Sequence, residues 1–310
     1  MTDTHPSQPH YMNRYTISYI VVASVALLAA ACTSADDPDG TDRYQDAKST
    51  PLTCKASHPR QAAVATATFN SGDRIGLYVA ATDSPLELGG NLVNNAALTY
   101  NGTAWTSAKD LFWDEGTYNA FAYYPYRPDI SSIEDQPFSV ATDQSTDRTA
   151  TALGGYEASD LLYASARGVS ASAAPLPLTF RHIMSRLKIR LIKGEDFDGA
   201  MPTDAAVYVH STVTSATLDL EVGAVTRAMR GTTHAIRAHQ DDDYVFSAIV
   251  VPQRLTNHLP LVEVVMNGVS YIYDSRFVFK PGTEHLVNFV ISNNPEKIKI
   301  DISGEIENWQ

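Results

Sequence analysis

Short apolar runs separated by turn-forming residues dominate this sequence from residue 60 onward. The dipeptides Asn101-Gly102 and Asn267-Gly268 each stand between two such runs, and Asn-Gly supplies the positive φ angles of a type I′ hairpin turn. Residues 180–192 could form an amphipathic helix, but their apolar residues alternate with Lys188 and Arg190, which favours a strand. The pattern predicts strands at residues 73–80, 117–126, 185–192, 204–213, 244–252 and 284–291.

The length of the chain predicts two domains. With 310 residues and 44% hydrophobic content, it is longer than a single hydrophobic core usually supports. Small residues and two prolines in residues 167–178 separate two strand-rich halves. Because the predicted strands are short and joined by turns, we expect an all-β protein built from antiparallel sandwiches. The N-terminal sandwich is placed at residues 60–174 and the C-terminal one at residues 175–310.

Residues 1–31 have the pattern of a secretory signal peptide. Arg14 precedes seventeen uncharged residues, 15–31, which end in small side chains, as the charged, apolar and cleavage regions of such a signal do. Starting at Met12 instead of Met1 would give a signal of ordinary length. The alternative is an uncleaved transmembrane anchor, but this stretch is at the short limit for a hydrocarbon core of about 30 Å.

Cys32 follows three alanines and resembles the lipid-carrying cysteine of a bacterial lipoprotein. Ala29 stands where a larger aliphatic residue is usual. Cleavage before Cys32 would leave a thiol that carries acyl chains and anchors the chain to the outer membrane. Cys54 is the only other cysteine, so no intrachain disulfide is expected once Cys32 is acylated.

Residues 32–59 are predicted to be a lipidated tether that includes a possible first strand at residues 49–59. The first part is polar and acidic, and it has too little apolar surface to offset the entropy lost on ordering. Asp36, Asp37 and Asp39 resemble an acidic signal that sends lipoproteins to the outer face of the outer membrane. A merely solvated linker is the alternative.

Composition and motifs argue against several functions. A net charge of −12 and an isoelectric point near 5.1 disfavour nucleic acid, whose phosphates require Lys and Arg. Two cysteines are too few for a cysteine-based zinc site. The sequence has no G-x-S-x-G, H-E-x-x-H, P-loop or G-x-G-x-x-G motif. We therefore expect no enzymatic activity, no cofactor and no metal ion.

Three groups of residues have both a functional and a structural interpretation. Asp160, His182 and Ser185 are the residue types of a catalytic triad, but a packed, hydrogen-bonded His182 is the simpler interpretation. The acidic run 241–243 lacks the spacing of a calcium loop, so an exposed turn explains it. The motif FAYYPY at residues 121–126 could stack on sugars, but aromatic residues in such a strand more often belong to the core.

Eight motifs in order resemble the fimbrillin-like family, which comprises surface lipoproteins and pilins of Gram-negative anaerobes. The resemblance extends over essentially the whole chain after Cys32. The motifs are FNSGDRIGLYV (69–79), FAYYPY (121–126), SDLLYA (159–164), LTFRHIMSRLKIRL (178–191), IVVPQ (249–253), NGVSYIY (267–273), FVFKPGTEHLVNFVI (277–291) and IENW (306–309).

The resemblance implies two transthyretin-like β-sandwiches and a structural or adhesive role in fimbriae, with other fimbrial subunits as partners. In pilins of this family a protease cuts after Arg or Lys near the N-terminus, and a neighbour's strand fills the groove that opens. Arg43 and Arg60 are the matching positions here. Cutting after Arg60 would release the lipid and the first strand together, whereas cutting after Arg43 would release the lipid alone, so we favour Arg60.

Two questions remain open at the level of sequence. Residues 297–309 alternate isoleucine with charged residues, as a half-buried strand does, and this strand could be donated to a neighbour or close its own domain. The second concerns function, because a monomeric surface lipoprotein that binds a glycan or a host protein is the alternative to a fimbrial subunit.

Overall fold

The computed structural model describes residues 50–59, 69–296, 298–307 and 309. Within these residues the structure is almost entirely β-strand, and the single helix is α1, Gly155–Ser159. No helix in the described part of the chain is long and apolar enough to cross a membrane. The strands up to residue 179 are β1 Thr50–Pro51, β2 Cys54–Ser57, β3 Arg74–Ala81, β4 Val93–Tyr100, β5 Trp105–Ser107, β6 Phe112–Trp113, β7 Thr117–Tyr124, β8 Gln136–Ser139, β9 Leu162–Ser170 and β10 Leu176–Thr179.

Twelve further strands occupy the rest of the described chain, and they confirm the all-β prediction. The region 180–192, which could also have formed a helix, contains two of these strands. They are β11 Arg181–His182, β12 Ser185–Lys193, β13 Ala206–Val213, β14 Ser215–Asp219, β15 Ala224–Arg227, β16 Thr233–Arg237, β17 His239–Asp242, β18 Val245–Val250, β19 Gln253–Met266, β20 Val269–Phe279, β21 Thr283–Ile291 and β22 Lys299–Glu307.

A six-stranded antiparallel sheet in the order β11-β9-β7-β3-β4-β5 lies between two apolar cores. Its central strand β3 is buried on both faces because nearly every residue is apolar. Ile75 and Leu77 face the first core, which also contains Leu52 and Phe180. Tyr78 faces the second core, which is built mainly from residues after 180.

Three further sheets enclose the second core. They have five strands (β17-β18-β12-β21-β22), four strands (β16-β13-β19-β20) and three strands (β15-β14-β8). β12 and β21 run parallel, and the other pairs in these sheets are antiparallel. In the three-stranded sheet, β8 from residues 136–139 pairs with β14 from residues 215–219. The division of the chain at residues 174 and 175 remains a prediction.

The two Asn-Gly dipeptides form different turns. Asn267 and Gly268 have φ angles of 48° and 74°, and Met266 pairs with Val269, so this is the predicted two-residue hairpin. The prediction of a type I′ turn at Asn101-Gly102 is wrong, because a four-residue loop joins β4 to β5. There the Asn101 side chain accepts hydrogen bonds from backbone N–H groups of the loop, which stabilises a wider turn.

Candidate functional site

Residues 50–59, called here the N-terminal segment, are held by backbone pairing at two places. β1 pairs antiparallel with β6, and β2 pairs in parallel with β10, more than 100 residues away in the chain. The N–H of Leu52 donates to the carbonyl of Leu111 at 2.8 Å, and the N–H of Leu176 donates to the carbonyl of Thr53 at 2.8 Å. The N-terminal segment thus forms two short strands, β1 and β2, on different partners.

The N-terminal segment covers the first core with alternate side chains. Leu52 is buried, and Cys54 and Ala56 pack partly against the same core, whereas Thr53 and Lys55 are exposed. Period two of this kind is what a strand with one buried face requires. Removing the segment would uncover apolar side chains of the first core and leave β10 without its partner, which are the conditions for accepting a donated strand. The first core also contains Trp105, Trp113, Leu176, Leu178 and Phe180.

The N-terminal segment lies over an apolar groove of the first core and does not fill it. A cavity of about 470 Å³ lies beside the segment, between residues 51–54 and a wall that includes Leu98, Trp105 and Leu111. The cavity is wide enough to admit water, so an apolar side chain that entered it would be removed from water. A strand with larger side chains would therefore find room for additional apolar contact in this groove.

Cys54 reports on whether the N-terminal segment is docked. Burial raises the pKa of its thiol to about 12, and the thiolate is the reactive form, so labelling by iodoacetamide at about pH 8 should be slow in the folded chain. With Cys32 replaced by serine, Cys54 is the sole thiol, and unfolding in denaturant should restore the rate of a free cysteine. Equal rates in the folded and unfolded chain would contradict the docked arrangement.

The far end of the N-terminal segment meets the end of the described chain at His182. The ring of His58 lies edge-on to His182, with centroids 5.9 Å apart. The ring of His182 stacks on Trp309, with centroids 4.1 Å apart and planes 16° apart. The Nδ1 atom of His182 lies 2.9 Å from Oδ1 of Asp160. His182 thus contacts both the N-terminal segment and Trp309, which lies two residues beyond the end of β22.

Acid should weaken the docking of the N-terminal segment through His58. Burial is the main cause that lowers the pKa of His58 below its ordinary value of 6.5, and nearby His182 also lowers it. The hydrogen bond to the carbonyl of Pro59 opposes the shift most, followed by Asp160 and Asp73. A lowered folded pKa means that the unfolded chain binds more protons below pH 6.5, so this contribution to stability is lost as the pH falls through that value.

The test compares His58→Gln with the wild type by urea unfolding at about pH 7.5 and about pH 5.5. The wild type should lose more stability on acidification than the variant. His258→Gln, at an exposed position on β19, should behave like the wild type. An identical acid loss in all three proteins would exclude a role for His58.

Near His182, two arginines each pair with two carboxylates. Arg148 pairs with Asp73 and, at 2.9 Å, with Glu157. Arg186 pairs at 2.9 Å with Asp241 and at 3.1 Å with Glu284. A cavity of about 290 Å³ lies between the two groups and reaches His182. Because each guanidinium is matched by acidic partners, this is the chemistry of a structural ion network.

The catalytic alternative is not supported by the geometry. Asp160 and His182 are in hydrogen-bonding contact, but the hydroxyl of Ser185 donates instead to the carbonyl of Thr283 at 3.4 Å. His182 is 2% exposed and has the packed position that the sequence predicted. In the acidic run, Asp241 pairs with Arg186. No group of metal ligands is present among the described residues.

The FAYYPY strand is core, as predicted. Residues 121–124 are buried, and the hydroxyl of Tyr123 donates to Oδ1 of Asn95 at 2.7 Å. Trp105, Trp113 and Trp309 are buried as well. These aromatic side chains are therefore unavailable for stacking on a sugar.

β22 lies at the edge of its own sheet, where it pairs antiparallel with β21. This is the arrangement of a strand that closes its own domain, one of the two alternatives left open by the sequence. Ile298 and Ile300 pack partly against the second core. Cys32, Arg43 and Arg60, the predicted lipidation and processing positions, lie outside the described residues.

Sequence reasoning missed the ion network. Arg186 alternates with Leu187 as Lys188 and Arg190 alternate with the apolar residues of β12, so the period-two pattern alone puts it on the same face as these two residues. The structure buries it instead, at 6% exposure, because β18 and β21 flank β12 and supply Ser247 and Glu284. No local signal in the sequence indicates such partners.

The family model for fimbrillin-like proteins matches residues 61–309. The chain belongs to the fimbrillin-like family. The match covers both sides of the groove and begins directly after the N-terminal segment. The family resemblance inferred from the eight sequence motifs is thus confirmed.

Individual relatives agree with this fimbrillin-like assignment. A candidate fimbrium tip subunit, Fim1C of Bacteroides ovatus, is 27% identical over 135 residues, covering 40% of this chain and 24% of the relative. The chain therefore matches about a quarter of the length of that relative. Crystal structures of candidate cell adhesion proteins from Bacteroides ovatus and Bacteroides uniformis share the fold with TM-scores of 0.65 and 0.63. Their identities are 19% and 21%, and they cover 85% and 83% of this chain and 98% and 99% of their own.

Proposed function

We propose that this chain is a structural and adhesive subunit of surface fimbriae that joins its neighbours by β-strand exchange. The observation that carries the proposal is the N-terminal segment, which lies over an apolar groove without filling it. Membership of the fimbrillin-like family and the resemblance to a candidate fimbrium tip subunit support it. The chain would act at the cell surface, with other fimbrial subunits as its partners.

The position of the N-terminal segment favours Arg60 over Arg43 as the processing site. Arg60 directly follows Pro59, the last residue of the segment, so a cut there separates β1 and β2 from the rest of the chain. A cut after Arg43 would leave both strands covalently attached. Only the first cut makes the groove available to a neighbour's strand while also releasing the lipid on Cys32.

The experiment is N-terminal sequencing of protein sheared from cells, combined with electron microscopy for filaments. The expected result is filaments whose subunits begin at residue 61, and replacing Arg60 by glutamine should abolish both the new terminus and the filaments. Arg43→Gln is the matched control and should leave both unchanged. Filaments whose subunits begin at Cys32 would contradict processing, and the chain would then be a lipid-anchored subunit of the fimbria.

The second candidate function is a monomeric surface lipoprotein that binds a glycan or a host protein. The pairing of β22 within its own sheet favours it, because a strand that closes its own domain is not free for a neighbour. This function requires the lipid on Cys32 and a groove that stays closed. Cells with abundant surface protein, no filaments and an intact N-terminus at Cys32 would favour this alternative.

A further inference from the structure

One groove of this chain is bordered by positive charge. It lies at the end of the long β19–β20 hairpin that is farthest from the Asn267-Gly268 turn. Its volume is about 480 Å³, and its floor includes Leu255, Phe277 and His285. Arg254 and Arg276 stand on its rim. The whole chain has 35 acidic and 23 basic residues, so a groove bordered by arginines differs from the average surface.

The two arginines lie on the same face of the hairpin. Arg254 pairs across the strands with Val278, and Arg276 is two residues along β20 from Val278. This diagonal arrangement places side chains about 7–8 Å apart at the backbone, within reach of each other for long side chains. Like charges in such positions repel each other, and an anion between them would relieve the repulsion.

Neither guanidinium has an acidic partner in the described part of the chain, where no carboxylate lies within 4.0 Å of either one. The third cation of the groove, Lys280, pairs with Glu305 on β22. Hydrogen bonding to Lys280 is the main cause that lowers the pKa of Glu305, so that pair is neutral overall. The groove is therefore bordered by two arginines that form no ion pair among the described residues and by one neutral Lys280–Glu305 pair.

The floor of the groove has a rigid polar centre. His285 is 1% exposed, its Nε2 accepts the backbone N–H of Lys280 at 3.2 Å, and its Nδ1 lies 3.5 Å from Oε1 of Glu305. Burial is the main cause that lowers the pKa of His285. The imidazole thus stays neutral near pH 7, and the charge on the groove comes from the arginines.

We propose that this groove binds an acidic glycan through carboxylate or sulfate groups held by Arg254 and Arg276. Guanidinium groups bind carboxylate and sulfate oxygens with paired hydrogen bonds, and apolar Val278, which is 37% exposed, offers a surface for the face of a sugar ring. The volume lies within the range of ligand pockets. The site is separate from the N-terminal groove, so binding does not depend on fimbrial assembly. Binding of a glycan would serve the adhesive part of the proposed function.

The test is calorimetric titration of the full chain with three probes at about pH 7. The probes are a heparin-derived hexasaccharide with sulfates and carboxylates, a galacturonic acid hexamer with carboxylates alone, and uncharged maltohexaose. At least one acidic probe should bind, with an affinity that falls as salt is added, and maltohexaose should not bind. The difference between the two acidic probes identifies which oxyanion is preferred.

The variant Arg254→Gln/Arg276→Gln should bind the acidic probe at least about tenfold more weakly, since two charge-assisted contacts are lost. The matched control is Arg227→Gln/Arg230→Gln, which removes two exposed arginines elsewhere and gives the same net charge of −14, from −12 − 2. It should bind like the wild type. Glu305→Gln should bind more tightly, because it frees the charge of Lys280.

Three results with these probes and variants would overturn the proposal. They are no binding of either acidic probe, equal weakening in the two double variants, and equal binding of maltohexaose. A glutamate hexapeptide that binds more tightly than both acidic sugars would also overturn it, because the groove would then be a site for acidic protein segments. All positions changed are exposed, so unchanged thermal unfolding is expected and serves as the folding control.

Discussion

Replacing Arg186 by alanine is expected to lower the free energy of unfolding by about 3–5 kcal/mol. The guanidinium is buried and bridges Asp241 and Glu284, and it also donates to the hydroxyl of Ser247 at 3.1 Å. Glu284 is itself 6% exposed, so the substitution leaves a buried carboxylate without its counter-charge. The loss of stability comes from the desolvation of that carboxylate, and it is far larger than the contribution of an exposed ion pair to the free energy of unfolding. Urea unfolding measures it.

Arg190→Ala provides the matched control. Arg190 lies on the same strand, four residues further on, and is exposed. Its substitution should change the free energy of unfolding by no more than about 0.5 kcal/mol. A double variant Arg186→Met/Glu284→Leu should recover most of the loss, because it removes both charges. Equal effects of Arg186→Ala and Arg190→Ala would show that the buried ion network does not stabilise the fold.

Replacing Trp309 by alanine is expected to cost about 3–5 kcal/mol and to loosen β22. The indole is 1% exposed and stacks on His182, and it is the anchor that follows an edge strand paired on one side only. Without it, hydrogen exchange of the β22 amides should rise more than that of β12, which is central in the same sheet. Protection of β22 is thus expected to depend on a side chain outside the strand.

Two further substitutions serve as controls for this result, one conservative at the same position and one at the surface. Trp309→Phe should retain part of the stability, since a phenyl ring can still stack on His182. Met229→Ala removes a side chain that is 92% exposed, and it should be neutral within about 0.5 kcal/mol. If Trp309→Ala were as mild as Met229→Ala, the stacked arrangement at His182 would not hold the end of the chain.

Several strands of this fold could be predicted because each of these strands carries its own signal. Alternation of Leu187 and Ile189 with charged neighbours indicates β12, and Asn267-Gly268 marks a hairpin that the structure confirms. Local patterns do not say which strands pair. The parallel pairing of β2 with β10 and the antiparallel pairing of β8 with β14 join distant parts of the chain, and these are set by the shared core.

The candidate site, too, could be predicted only in part, because local patterns do not show which distant stretches of the chain come into contact. The sequence predicted a first strand at residues 49–59, but it gave no indication that β10 would be the partner or that space would remain beside Leu52. His182 could be recognised as a structural histidine. Its contact with His58 on one side and Trp309 on the other depends on three distant stretches meeting, which only the folded chain reveals.

The central claim is that the place of the N-terminal segment is taken by a strand of a neighbouring subunit. Electron cryomicroscopy of assembled filaments tests it most directly, by tracing the strand that runs beside β10 at residues 176–179. The expected result is a strand that belongs to another subunit and whose apolar side chains enter the cavity beside Leu98 and Trp105. Finding residues 54–57 of the same chain in that position, as they lie in the isolated chain, would contradict the account.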